Sequence, residues 1–169
     1  MKLNKPKFWD YKKPNIISYI LWPISIIIQI IHFLKSIMQH KKRNSSIKTI
    51  CIGNIYLGGT GKTSLSLKIQ KILEEKKIKT CFVKKYYPNQ IDEQKILEKN
   101  GKLFTASNRQ TAINEAIKQG YQIAIFDDGL QDFSIDYDLR FVCFNNINWV
   151  GNGFTIPAGP LRENPNNLR

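Results

Sequence analysis

Apolar and polar positions divide the chain into one long apolar block near its start and a series of short blocks at regular intervals after it. Residues Ile16 to Leu34 read IISYILWPISIIIQIIHFL, nineteen positions without a formal charge. As a helix they would extend roughly 28 Å at about 1.5 Å per residue, marginally enough to cross a bilayer. Beyond them, apolar runs of strand length begin at Ile47, Ile78, Lys102, Tyr121 and Leu139. Helical patterns are predicted between these runs, from about Lys62 to Glu75, Asp92 to Lys99 and Arg109 to Gln119. Strands alternating with helices predict an α/β fold with a parallel sheet wound by helices. The expected division is a basic, membrane-associated N-terminal helix segment at 1–46 and a core domain at 47–169.

The first strand breaks into glycines. Ile47 to Ile55 leads into Tyr56-Leu57-Gly58-Gly59-Thr60-Gly61-Lys62-Thr63, and the next helix starts there. Glycine admits positive φ and lets backbone N–H groups approach an anion, so Leu57 to Thr63 reads as a P-loop. In that reading Lys62 reaches the β- and γ-phosphates of ATP, Thr63 ligates Mg²⁺, and the helix N-terminus adds positive potential. The spacing is irregular, since Tyr56 stands where the ordinary pattern has its first glycine. A Gly-rich turn with a solvated lysine is the plain alternative. The strand Tyr121 to Asp127 weighs against it, because it ends in Asp127-Asp128, the usual place for metal-holding carboxylates in P-loop enzymes. Taken alone, that pair also reads as an Asp-Asp-Gly turn.

Charge changes the picture for the N-terminal block. The chain carries a formal +13, and ten of its 26 Lys/Arg but one of its 13 acids lie in residues 1–48. Nucleic acid is the common partner of such an excess. Here the lysines bracket the apolar run, with Phe8, Trp9 and Tyr11 among them, which fits anionic membrane lipid better than nucleic acid. Cationic flanks on both sides favour a helix lying in one leaflet, while a span and a buried soluble helix stay open. Pro23, Ser18, Ser25, Gln29 and His32 count against a span. No small-x-small cleavage site follows the run, so a cleaved signal peptide is not expected. Cys51, Cys81 and Cys143 sit in separate strand-like runs and read as buried thiols of a reduced domain. Neither His32 nor His40 has a metal-ligand partner at a suitable spacing.

Gly53-Asn54, Leu57 to Thr63, Asp127-Asp128-Gly129-Leu130-Gln131, Gly151-Asn152-Gly153 and Pro157-Ala158-Gly159-Pro160-Leu161-Arg162-Glu163 together resemble the tetraacyldisaccharide 4'-kinases of lipid A biosynthesis, over the whole chain. The resemblance implies transfer of the γ-phosphate of ATP to the 4'-hydroxyl of a lipid A disaccharide precursor. It places the enzyme at the cytoplasmic face of the bacterial inner membrane, in contact with anionic lipids. It also implies roles. Asp92 corresponds to the aspartate that accepts the hydroxyl proton, with helix capping as the alternative, and Lys62 assists catalysis. Thr63, Asp127, Asp128 and Glu163 hold Mg²⁺; Tyr87, Arg109, Gln131 and Arg162 bind substrate. A solvated helix start for Arg109 and a surface ion pair for Arg162 and Glu163 are the plain alternatives.

Departures from the family accompany the match. The family's Gly-Asp-Glu-Pro is Ile91-Asp92-Glu93-Gln94 here, its Arg-Gly-Tyr-Gly is Lys85-Tyr86-Tyr87-Pro88, and its His after Gln131 is Asp132. Family members also continue into a second, C-terminal half that supplies a histidine partner for the catalytic aspartate. The expectation is therefore a kinase completed by that half, or else an incompetent Mg-ATP-binding membrane module.

Overall fold

The computed structural model describes residues 5–168 apart from 40, 42, 45 and 87–90, and leaves the side chain of Asn167 undescribed. Contacts divide the chain into two compact units. One contains residues 40–53 and 61–143; the other contains 1–39, 54–60 and 144–169. This grouping differs from a cut at residue 46, because segments distant in sequence join the N-terminal helix.

The first unit is the α/β core. Its elements are β1 (Lys48–Gly53), α2 (Lys62–Glu75), β2 (Thr80–Lys85), α3 (Ile91–Asn100), β3 (Leu103–Ala106), α4 (Arg109–Lys118), β4 (Ile123–Asp127) and β5 (Leu139–Val142); α1 belongs to the other unit. The strands form one parallel sheet in the order β3-β2-β4-β1-β5. Alternation along each strand sorts the side chains into two layers. Cys51, Cys81, Val83, Ala124 and Phe126 pack with Ala112, Ile113 and Ala116 of α4. Ile52, Phe82 and Ile125 face the other way, with Leu97 of α3 and Leu65, Ile69 and Leu73 of α2. Burial pushes the thiols of Cys51 and Cys81 up to about 12, which keeps them protonated packing groups as expected.

The sheet's amino-terminal edge is locked by Asp138. Its carboxylate accepts from Thr49 N at 2.9 Å and Thr49 Oγ1 at 3.0 Å, while Thr49 Oγ1 also lies 3.0 Å from Asp138 N. Partial burial would raise this carboxyl, but the Thr49 bonds and the Lys48 charge outweigh it and hold it below its ordinary value.

The second unit is built on α1 (Ile16–Met38), capped at Asn15, whose side chain accepts from Ser18 N at 3.0 Å. The helix runs through Pro23 and four residues beyond the predicted end. Its polar positions form one face. Asn152 Nδ2 donates to Ser18 Oγ (2.9 Å), Ser25 Oγ donates to Thr155 O (2.9 Å), Ala158 N donates to Ser25 Oγ (3.1 Å), and Gln29 Nε2 donates to Thr155 Oγ1 (2.7 Å). The rings of Tyr19 and Trp22 lie against Phe154. The opposite face leaves Ile16, Ile20, Ile27 and Leu34 exposed.

Asp138→Ala is expected to lower the unfolding free energy by about 1–3 kcal/mol in urea titration, since Thr49 loses the acceptor for two donors. Because the folded carboxyl is depressed, this contribution is present above the ordinary aspartate value of about 3.9 and lost as pH falls through the folded one. The difference between Asp138→Ala and the unaltered protein should therefore shrink in acid.

Candidate functional site

Parallel strands end together, and the carboxyl edge of the core unit gathers its chemistry. β1 and β4 are neighbours, with Ile52 in register with Asp127. Asp128 N donates to Ile52 O at 2.8 Å, so the chain turns immediately past Asp127. At the end of β1, α2 opens at Lys62 after Gly61, whose φ of 77° and ψ of 16° lie in the left-handed region that favours glycine. A Cβ at Gly61 would meet nothing within 4 Å, so the glycine answers to backbone conformation rather than crowding.

Asp127 is fully buried. Lys84, also buried, holds its Oδ2 at 3.0 Å and reaches Glu93 Oε2 in α3 at 2.5 Å. Burial pushes the Asp127 carboxyl up; Lys84 draws it back, Glu93 pushes it up again, and Lys62 draws it down more weakly. For Lys84 the two carboxylates overcome the cost of burial, so its ammonium stays charged. Asp127 Oδ1 has no hydrogen-bond partner among the described residues. A buried anionic oxygen left open in this way fits a cation or its bound water.

The turn after β4 rests on Arg109. Its guanidinium donates to Asp132 Oδ2 at 2.8 Å and to the carbonyl of Asp128 at 2.8 Å. Asp128 has φ 60°, uncommon outside glycine, and the bond to Arg109 helps hold that peptide. Asp132 Oδ1 accepts from Ser134 N and Oγ at 3.0 and 2.5 Å, and these bonds with Arg109 outweigh burial to depress its carboxyl. Arg109 is 7% exposed, so it is not a solvated helix-start residue, and its bonds to Asp132 and the Asp128 carbonyl brace the turn. Asp132 is its counter-ion. Gln131, Lys62, Thr63 and Asp128 are partly buried. Asp92 is exposed and is the second residue of α3, inside its first turn rather than at the cap position. Tyr87 lies outside the described residues, as does His40.

The other unit carries Leu57, Gly58, Gly59 and Thr60. Asn54 Nδ2 donates to the carbonyls of Tyr56 and Gly58 at 2.6 and 3.1 Å, shaping the turn from inside. Thr60 Oγ1 is buried without a hydrogen-bond partner among the described residues. The Pro157 to Glu163 stretch pairs with the start of this loop: Leu57 N donates to Pro160 O at 2.9 Å and Arg162 N to Ile55 O at 2.6 Å. Arg162 and Glu163 are partly buried there. Sequence reasoning missed Tyr56 as an anchor. Its hydroxyl bonds to Asp10 and, at 2.7 Å, to Lys5, whose ammonium also lies over the ring. The signal was a large aromatic at the position where the ordinary pattern requires glycine.

The family described as LpxK, tetraacyldisaccharide-1-P 4'-kinase, matches residues 17–102 and 90–169. The chain belongs to this family. Among the family's members it is 63% identical to the tetraacyldisaccharide 4'-kinase of Pelagibacter ubique over 169 residues, all of this chain and 53% of that protein. The tetraacyldisaccharide 4'-kinase of Rickettsia bellii is 36% identical over 98% of this chain and 56% of its own length. The chain spans about half the length of these tetraacyldisaccharide 4'-kinases. In fold it is similar to the "apo" form LpxK of Aquifex aeolicus crystallised in complex with ATP, with a TM-score of 0.72 at 19% identity, covering 88% of this chain and 55% of that one.

Arg109→Met should cost about 3 kcal/mol of stability, since it leaves Asp132 without its buried counter-ion. Arg109→Lys should recover only part of this, because a point charge cannot serve Asp132 and the Asp128 carbonyl as a planar fork does. Urea titrations of both variants are the measurement.

Proposed function

We propose that the full-length polypeptide transfers the γ-phosphate of Mg-ATP to the 4'-hydroxyl of a tetraacyldisaccharide 1-phosphate at the inner face of the bacterial inner membrane. The supporting observation is Lys62 opening α2 next to the strand end that carries Asp127, with its charge acting on that carboxylate. Membership of the tetraacyldisaccharide-1-P 4'-kinase family adds the substrate.

In this mechanism the amides of Gly61 to Thr63 meet the triphosphate, and the Lys62 ammonium neutralises charge that builds on the transferring phosphoryl oxygens; the phosphate-binding role of Leu57 to Thr60 rests on the sequence alone. Thr63, Asp127 and Asp128 are the proposed Mg²⁺ ligands of the core unit, and Asp127 Oδ1 is the oxygen best suited to it. When bound, Mg²⁺ would shield the phosphate charges and orient the γ-phosphate. Asp92 accepts the proton of the attacking 4'-hydroxyl as the new P–O bond forms and the bond to the β-phosphate oxygen breaks; ADP leaves. Arg109 is assigned a positioning role through the Asp128 turn. The roles of Gln131, Tyr87 and Arg162 in substrate binding, and of Glu163 at the metal, rest on sequence resemblance alone.

Among the described residues, α1 is long and apolar enough to cross a membrane. We infer instead that it lies in a single leaflet. The polar contacts from Ser18 to Gln29 run along about 16 Å of helix axis, and the segment they bind is irregular backbone from Asn152 to Ala158. A span would draw such a segment into hydrocarbon, where irregular chain exposed to lipid is not tolerated. Seating the isoleucine face in the leaflet keeps that segment on the water side, and the flanking lysines then meet anionic headgroups.

With the lipid disaccharide and Mg-ATP, Lys62→Ala is expected to reduce kcat by about 10²–10³-fold, the loss typical of one transition-state donor. Asp92→Asn should also lose most turnover while retaining ATP binding. Full activity in both folded variants overturns the kinase reading. For the membrane, single cysteines at Lys13→Cys and Gln39→Cys should react with an impermeant maleimide from the same side of sealed vesicles. Labelling from opposite sides overturns the single-leaflet placement.

A further inference from the structure

Parity along the strands brings Lys84 and Asp127 together. The β2–β4 register pairs Val83 with Phe126, so the next residue of each strand stands beside the other. Both continue the layer of Phe82 and Ile125, the layer covered by α2 and α3. The Lys84 side chain is 1% exposed and that of Asp127 is 0% exposed. Glu93 reaches the same ammonium from the first turn of α3, and its side chain is half exposed. Two carboxylate oxygens from separate elements thus converge on one point, at 3.0 and 2.5 Å, and the chain itself supplies the cation there. Carboxylate oxygens are also what Mg²⁺ and Mn²⁺ select.

We propose that Lys84 is the resident counter-ion of Asp127 and Glu93, and that it denies this pair to a free divalent cation, so that metal enters only with nucleotide phosphates. The proposal rests on the Mg-ATP reading above. A free ion has to compete with an ammonium that is tethered, desolvated and bonded to both carboxylates. Lys84 cannot simply withdraw, since two buried or half-buried carboxylates would then face each other uncompensated. A cation already ligated by phosphate oxygens needs less from the protein. Asp127 Oδ1, which Lys84 does not engage, is an oxygen it can use. Magnesium sites in phosphotransferases commonly take one or two carboxylates and draw their other ligands from substrate phosphates and water. Among the described residues no group of three or more His, Cys, Asp or Glu is arranged to hold a metal, which accords with that division of labour.

The test uses the full-length polypeptide and Mn²⁺ as the probe, followed by electron paramagnetic resonance with and without ATP. The unaltered protein should bind Mn²⁺ tightly with ATP and weakly without it. Lys84→Met should raise the affinity for Mn²⁺ alone by at least about tenfold, because it removes a cation from a carboxylate pair. Adding Asp127→Asn to that variant should abolish the gain, and Lys84→Arg should behave as the unaltered protein does. If methionine is not tolerated at the buried position, Lys84→Gln reads the same quantity while keeping a donor for Asp127. Circular dichroism confirms folding in each case. A folded charge-removing variant with no gain for Mn²⁺ alone overturns the proposal, and so does tight Mn²⁺ binding by the unaltered protein without ATP. Failure of the unaltered protein to bind Mn-ATP instead brings down the nucleotide reading, and this inference with it.

Discussion

Asp127 ends a central strand without access to solvent, and an ionised carboxylate in that position must be matched by the protein itself. Much of the core unit's carboxyl edge follows from how the match is made. β4 lies between β1 and β2, so the carboxylate has the start of α2 on one side and Lys84 on the other. Lys84 in turn holds Glu93, which fixes the first turn of α3 and with it the neighbouring Asp92. On the far side of the same strand end, Arg109 supports the left-handed peptide of Asp128 from α4. Two buried cations therefore flank two consecutive aspartates, one through a side chain and the other through a backbone carbonyl.

The second unit inverts the usual logic of an amphipathic helix. In a soluble domain the apolar stripe faces inward and the polar stripe meets water. In α1 the small and polar residues Ser18, Ser25 and Gln29 are turned inward onto the segment around Thr155, and isoleucines cover the outside. That arrangement suits the leaflet placement proposed above, with hydrocarbon on the outer side. The inward hydroxyls satisfy backbone groups of an irregular segment that has few ladder bonds of its own. Ser18, Ser25 and Gln29, which counted against a span in the sequence, have a structural task here.

Much of the α/β core was legible because its cues are local and periodic. Short apolar runs announced β1 and β4, and Gly61-Lys62-Thr63 marked the turn into α2 at the residue where the helix begins. Residues whose meaning depends on a distant partner were harder to read. For Arg109 the resemblance implied substrate binding and the plain alternative was a solvated helix start; its burial depends on Asp132 and on the Asp128 carbonyl, which no periodicity reports. Lys84 carries no local signal of its role, since only the register of β2 against β4 reveals the carboxylate beside it. Likewise the grouping of residues 144–169 with the N-terminal helix arises from contacts between groups over a hundred positions apart, such as Ser25 Oγ with the Thr155 carbonyl.

Tyr56 gives the glycine-rich loop a fixed point outside itself. Its hydroxyl is held by Asp10 and Lys5, in the short segment that leads into α1, and it stands two residues before the first glycine of the loop. Asn54 then ties the Tyr56 carbonyl to that of Gly58, so the loop's entry and its first bend form one stiff piece. A change at Lys5 or Asp10 would therefore be felt as slack in the bend from Tyr56 to Gly58, far along the chain from where it was made.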